Sequence, residues 1–328
     1  MGQSLLLSAQ DVVVIDRPIL FPYERIMRMG DDPAWSAPEV DQQGWHYDFS
    51  EDQRGVYWVR FKLRVDGMVD HLEVPGMTII SLGSYELWWD GVPIHQSGRV
   101  GASKAEEVPG SFLQYIALSD SLLTYGEHTV AMRVSNFHMP ELLKGYWNSC
   151  YVEEYQASVR EDLVLTAKIF ILAGVYLMAS LYYLFLFLLR HRNLEVLIFS
   201  ILCLLFFGLI VMEYLKFLLL YPYPFHYVRL GIIYLLTLTI ALLVPVFYLK
   251  YFKIGRYKLV IPLLIVGVTL AQIGHGPGND LTNERLSTMM WFACLLIVAY
   301  AVWLKRRESR LILAVLCVVG LRLYGIVL

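Results

Sequence analysis

Four residues in the first third of the chain carry the side chains that a ring-shaped polar ligand would need: Trp88, Trp58, Trp45 and Glu86. Indole faces pack against the C–H faces of sugar rings, and a nearby carboxylate takes the hydroxyls. Trp58 and Trp88 fall on expected strands, Trp45 and Trp35 in loops. Trp88 shares its parity with Glu86 and Asp90, so it is expected on the outward side, whereas Trp89 shares parity with Leu87 and is expected in the core. The competing reading for every one of these tryptophans is packing. No phosphate-binding loop, G-x-S-x-G elbow, H-E-x-x-H helix or kinase signature occurs, so the chain is expected not to be an enzyme and to need no cofactor. The eight histidines are scattered and form no Cys/His cluster, which predicts no metal site.

Three further ionisable residues are unusual because of where they fall. Lys168, Glu213 and Arg322 lie inside apolar runs, where charge is costly and tends to be paired or functional. Lys168 and Glu213 fall within about two turns of one membrane surface, at about 1.5 Å per helical residue. They either pair or snorkel separately to the interface. Arg322 is expected near mid-membrane with no acidic partner at its depth.

These runs divide the chain. Residues 1–160 hold 12 Lys and Arg against 22 Asp and Glu, a net of −10, while the remainder holds 15 against 7, a net of +8. An acidic half joined to a basic, apolar half reads as a soluble domain on a membrane block, and no basic patch suggests nucleic acid. Of four cysteines only Cys150 lies in the acidic half, so that half has no internal disulfide.

From Asp11 to about Asn136 the pattern is that of short strands. Asp11–Ile15 is Val-rich; Tyr57, Val59, Phe61, Leu63 and Val65 alternate with polar positions; Leu72–Val74, Met77–Leu82, Tyr85–Trp89 and Thr129–Ser135 follow. Asp90-Gly91 between apolar runs predicts a tight hairpin. Strands at this spacing without a long amphipathic helix imply a β-sandwich. Apolar runs then predict membrane helices at Leu163–Leu189, Leu194–Tyr214, Val228–Tyr248, Leu259–His275, Leu286–Leu304 and Leu311–Leu328. The loops after the first, third and fifth carry ten Lys and Arg (residues 190, 192, 250, 253, 256, 258, 305, 306, 307 and 310) against Lys216, Arg229 and Arg285 on the other side. The positive-inside rule puts the β domain outside the cytoplasm.

The succession GDDPAW…GW, YWVRFKLRV, YELWWDGVPI and GEHTVAMRVSN resembles the galactose-binding-type jelly roll of the sugar-binding domain in family 2 glycosidases, with Asp90-Gly91 where that family has Asn-Gly. The stretch GVYLMASLYYLFLFLLRHRNLEVLIFSILCLLF resembles the first two helices of bacterial seven-transmembrane receptors with diverse intracellular signalling modules. That resemblance implies an extracytoplasmic β-sandwich, seven helices and a cytoplasmic effector (histidine kinase, nucleotide cyclase, diguanylate cyclase or phosphatase).

The expected fold class is therefore β plus membrane α: an N-terminal jelly-roll β-sandwich followed by a polytopic transmembrane helix bundle, six helices visible of an expected seven. The expected division is a signal-peptide remnant or plain N-terminus at 1–10, the sandwich at 11–140, a connector at 141–162 and the bundle at 163–328, with a seventh helix and effector expected beyond. The expected function is the sensory part of a receptor in the bacterial inner membrane, its partners the lipid bilayer, a small extracytoplasmic ligand such as a carbohydrate, the effector, and a second copy in a homodimer. The alternative is a membrane-anchored envelope glycan-binding module or transport component. Transporters favour broken helices and repeats; only Pro245 and Pro262 interrupt these helices, and no repeat is seen.

Overall fold

The computed structural model describes residues 23–41, 43–46, 54–67, 69–140, 148–189, 193–255, 257–273 and 280–323. The chain falls into two compact units, Met1–Leu163 with Leu219–His226, and Val164–Leu218 with Tyr227–Leu328. The expected strand Asp11–Ile15 and the stretch 1–10 lie outside the described residues.

The first unit is β. Its strands are β1 (Tyr23–Met29), β2 (Val56–Val65), β3 (Pro75–Ser81), β4 (Ser84–Trp89), β5 (Val92–Ser97), β6 (Leu113–Ala117), β7 (Gly126–Ser135) and β8 (Asn148–Glu154). They form a five-stranded sheet, β1-β2-β7-β4-β5, and a three-stranded sheet, β6-β3-β8, with every pairing antiparallel. Strict alternation places Tyr57, Val59, Phe61, Leu63 and Val65 of β2 in one apolar core with Val130, Met132 and Val134 of β7. Leu87 and Trp89 of β4, Met77 and Ile79 of β3, and Cys150 and Val152 of β8 complete that core, so residues of both sheets share it.

Two sequence expectations change here. Leu72–Val74 is not a strand: the N–H groups of Glu73 and Val74 donate to the Glu154 carboxylate at 2.7 and 3.2 Å. The segment expected as a connector contains β8, paired with β3 from Pro75↔Glu154 to Ser81↔Asn148. Its polar spacing, NSCYVEE, gives a weak apolar signal because its outward side carries Ser149, Tyr151 and Glu153.

Among the described residues six helices follow: α1 (Tyr155–Leu189), α2 (Leu194–Leu218), α3 (Tyr223–Tyr251), α4 (Tyr257–Ala271), α5 (Asp280–Trp303) and α6 (Ser309–Leu323). Four of them, α1, α2, α3 and α5, are long and apolar enough to cross a membrane. The other two, α4 and α6, have 15 residues each, about 22 Å at 1.5 Å per residue, short of a hydrocarbon core of about 30 Å. Among the described residues, the expectation of six full-length spans is thus met by four. In the second unit Tyr234 and Ala241 of α3, Val268 and Ala271 of α4 and Leu286 of α5 share one cluster. Leu249, Phe252 and Ile254 pack with Ile297, Val298 and Ala301 of α5 in another.

α1 starts eight residues before the expected Leu163, directly after β8. Its opening turns belong to the β unit: Tyr155 N–H donates to the Val74 carbonyl at 2.9 Å, and the Tyr115 hydroxyl donates to the Asp162 carboxylate. Since β8 buries Cys150 and Val152 completely, a chain ending at residue 140 should be about 3–5 kcal/mol less stable than one ending at residue 163. Urea denaturation of the two fragments measures this. Burial also pushes the Cys150 thiol up to about 12, so a maleimide should label it only after β8 leaves the sheet.

Candidate functional site

The outer face of the five-stranded sheet holds the candidate residues. The β2 side chains that alternate with the core positions are Trp58, Arg60, Lys62 and Arg64. In β7, Arg133 stands opposite Trp58 and Ala131 opposite Arg60. In β4, Glu86 stands opposite Arg133 and Trp88 opposite Ala131. The small Ala131 side chain leaves room for the Trp58 and Trp88 rings to approach to 4.9 Å at 31°.

The segment between β1 and β2 folds back over this face. A 3₁₀ turn at Pro33–Ser36 is capped by the Asp32 side chain, which accepts the Ala34 N–H. Trp35 meets Trp45 edge-on at 5.6 Å, and the Arg28 guanidinium lies over Trp35 at 4.4 Å. A second small core results, with Ile26, Trp45, Trp58 and Ala131 buried and Trp35, Val40 and Trp88 packed against them.

Two arginines tie this cover down. Arg60 Nη1 donates to the Trp35 and Ala37 carbonyls at 2.6 Å each, and Nη2 to the Pro38 carbonyl at 2.7 Å. Burial lowers the Arg60 pKa from its ordinary value, yet three carbonyl acceptors fit its fork. Arg133 grips Asp31 bidentately through Nε and Nη2, both at 2.6 Å, and reaches Glu86 through Nη1 at 3.0 Å. The Asp31 bond, opposed by desolvation and reinforced by Glu86, raises the Arg133 pKa.

Trp58 is 0% exposed and Trp45 is buried beside it. The outward parity of Trp58 was legible and Trp45 was expected in a loop; the covering segment buries both. Both indole N–H groups are buried without a hydrogen-bond partner. Trp88 and Glu86 are half-buried, with Glu86 engaged by Arg133. Arg60, Arg133 and Asp31 were missed by the sequence reading. Arg60 and Arg133 carried only the signal of an Arg on the outward parity of β2 and β7, which reads equally as a solvated strand face, and Asp31 only that of a turn-rich loop.

Asp90 does turn the hairpin, with φ +47 followed by Gly91 at φ +81. It also caps β7, its Oδ1 accepting the Thr129 N–H at 2.8 Å and its Oδ2 lying 2.6 Å from His128 Nδ1.

A second polar cluster centres on Glu107, in the loop between β5 and β6. Gly98, at φ +71, and Gly101 hold this loop so closely that a Cβ would lie 2.2 Å from the Val108 oxygen and 2.5 Å from the Glu107 nitrogen. The Glu107 carboxylate accepts the Tyr223 hydroxyl at 2.6 Å and the Phe137 N–H at 2.8 Å. The connection from α2 to α3 lies in this β unit. Phe112 N–H donates to the Tyr221 carbonyl at 3.1 Å, Tyr223 N–H to the Gly110 carbonyl at 2.8 Å, and Phe112 stacks on His226 at 3.6 Å.

Among the helices, Glu213 pairs with Lys216 at 3.4 Å and Arg229 at 3.7 Å rather than with Lys168, which is exposed. Buried Arg229 also donates to the Met212 and Glu213 carbonyls. The backbone of Arg322 lies in α6; its side chain lies outside the described residues. Among the described residues, no three His, Cys, Asp or Glu side chains converge as a metal site would require.

No protein-family model matches the sequence, and no curated protein matches it. Among solved structures, a glycosyl hydrolase family 2 member from Bacteroides cellulosilyticus DSM 14838 is 13% identical with a TM-score of 0.31, covering 41% of this chain and 20% of its own. Bacteroides uniformis beta-glucuronidase 2 is 14% identical with a TM-score of 0.30, covering 39% and 17%. Faecalibacterium prausnitzii beta-glucuronidase is 9% identical with a TM-score of 0.29, covering 42% and 32%. This chain therefore spans less than a third of the length of each of these structures.

Removing the Arg60 fork leaves three carbonyls without a charged donor. Arg60→Ala should cost about 2–4 kcal/mol and shift tryptophan emission as the cover loosens. Arg60→Lys should recover only part of that loss. Urea denaturation followed by fluorescence measures both.

Proposed function

We propose that this chain is the sensory and transmembrane part of a signal-transduction receptor of the bacterial inner membrane. In this reading the β unit is an extracytoplasmic jelly-roll sandwich that binds a small hydroxylated ligand, such as a carbohydrate. The helices relay that event to a cytoplasmic effector. The observation that carries the reading is the way the helices begin. Strand β8 ends at Glu154 and α1 begins at Tyr155, and the opening residues of both α1 and α3 belong to the β unit. A module that only anchors is served by a flexible tether, which decouples its motion from the membrane. A sensor needs the opposite, because a ligand that prefers one arrangement of the β unit must bias the helices. The excess of Lys and Arg at residues 190–192, 250–258 and 305–310 supports the cytoplasmic placement of those loops.

Trp88, Glu86 and Arg133 are the residues best placed for the ligand, since they keep partial exposure on the outer face of the five-stranded sheet. The Trp88 ring is fixed by Trp58 behind it. It can offer its free portion to a sugar ring, while Glu86 and Arg133 supply acceptor and donor.

Two measurements check the reading. Lys104 and Arg306 are exposed. In a chain whose native cysteines are replaced, Lys104→Cys should label with an impermeant maleimide in intact cells, and Arg306→Cys only after permeabilisation. The reverse pattern would overturn the orientation. In a glycan titration, binding should quench tryptophan emission, and Trp88→Ala should weaken it by at least tenfold, about 1.4 kcal/mol. Binding without any change in amide exchange of α1 and α3 would favour the glycan-binding module over the sensor.

A further inference from the structure

The Glu107 side chain is 0% exposed. A buried carboxylate ordinarily has a cationic partner or is neutralised. Its close hydrogen-bond donors are neutral: the Tyr223 hydroxyl and the Phe137 N–H. Ser84 Oγ lies 3.3 Å from Glu107 Oε1, but its single hydroxyl proton has a better acceptor in the Val108 carbonyl at 2.8 Å. One lone pair of Oε1 is thus poorly used. The group that faces it is His138 Nδ1, at 3.5 Å, and that nitrogen is buried without a hydrogen-bond partner. The His138 backbone N–H meanwhile donates to the Tyr223 hydroxyl at 3.0 Å, which itself donates to Glu107. Orphaned nitrogen and undercompensated carboxylate therefore stand side by side at the residue where α3 begins.

We propose that His138, Glu107 and Tyr223 form a proton-operated clasp that holds the connection between α2 and α3 to the β unit. Addition of a second proton to the His138 imidazole supplies the charge that Glu107 lacks, and the Nδ1–H of the imidazolium fills the open lone pair of Oε1. The carboxylate then stays in place as acceptor for Tyr223. Loss of that proton returns Glu107 to an uncompensated buried charge, and the Tyr223 contact loosens. The sign follows: a group that gains a proton-dependent partner in the folded state stabilises it at acid pH and loses that contribution as pH rises. The other ionisable groups around the clasp are Arg54, whose Nη2 donates to the Pro140 carbonyl at 3.0 Å, and His226, whose Nδ1 lies 3.1 Å from the Tyr221 hydroxyl. The clasp is a regulation of the proposed sensor, but it stands on this geometry alone. Its failure leaves ligand binding and orientation untouched, and the converse also holds.

Amide hydrogen exchange of the full chain in nanodiscs tests it, at about pH 5.5 and about pH 8, either side of the ordinary imidazole range. Rates are normalised to chemical exchange. The reporters are the amides of Phe112 and Tyr223, which donate across the junction. Protection should be roughly tenfold greater at the lower pH, the size of one hydrogen bond to a charged group, while the amides of β2 and β7 stay unchanged. His138→Gln should abolish the difference and leave the His226 and Arg54 contacts in place. Glu107→Gln, which keeps an oxygen for Tyr223 without the charge, should abolish it too. Equal protection at both pH values in the wild-type chain, or a difference that survives either substitution, overturns the clasp.

Discussion

The pairing of β3 with β8 is the constraint on which the rest of the β unit depends. Strand β3 is the centre of the smaller sheet, and β6 and β8 are its only neighbours among the described residues. Through β8 the sheet gains Cys150 and Val152 in the shared core, and Asn148 ties the two sheets together. The Asn148 amide donates to the Tyr57 hydroxyl at 2.9 Å, and its Oδ1 accepts from Ser81, at 2.5 Å. Arg25 of β1 reaches the Asn148 carbonyl at 3.2 Å. The register of this one strand therefore sets both the closure of the core and the point at which the chain leaves as α1. A slip of one residue would turn Cys150 and Val152 outward and put Tyr151 and Glu153 into the core.

Much of the β unit was legible because strand alternation is a two-state signal. In β2, β4 and β7 the inward residues are mostly large and apolar while the outward side carries every charged residue of the alternation, so parity identified Leu87, Trp89 and Val134 as interior. β8 was illegible for the same reason: an edge strand whose outward side is Ser149, Tyr151 and Glu153 looks like a polar linker. The candidate site was half legible. Sequence distance hides the fact that residues 31–46 return across the sheet, and the contact of Arg133 with Asp31 bridges about a hundred positions. No local pattern could distinguish Trp88, which keeps some exposure, from Trp58, which has none.

Helix length shows a similar limit. Hydropathy located all six apolar runs, but helix ends are decided by neighbouring residues and not by apolarity. α1 extends backwards through the polar YQASVRED stretch because Tyr155 and Asp162 have partners in the β unit. α4 stops at Ala271, short of the apolar and polar residues that follow it. The two places where a helix starts from the β unit, Glu154–Tyr155 and Pro222–Tyr223, are both held by carboxylates, Glu154 accepting the N–H groups of Glu73 and Val74 and Glu107 accepting the Tyr223 hydroxyl.

The seating of residues 219–226 within the β unit bears on how this protein can be handled. Short polar turns between apolar helices are the habitual places for epitope tags, fluorescent-protein fusions and protease sites, because connecting segments usually tolerate added length. The turn here is an exception. Tyr221, Pro222 and Tyr223 lie in backbone register with Gly110, Ser111 and Phe112, so an inserted residue would act as a frameshift in a sheet and not as slack in a loop. A tag placed there would report on a protein it had already altered.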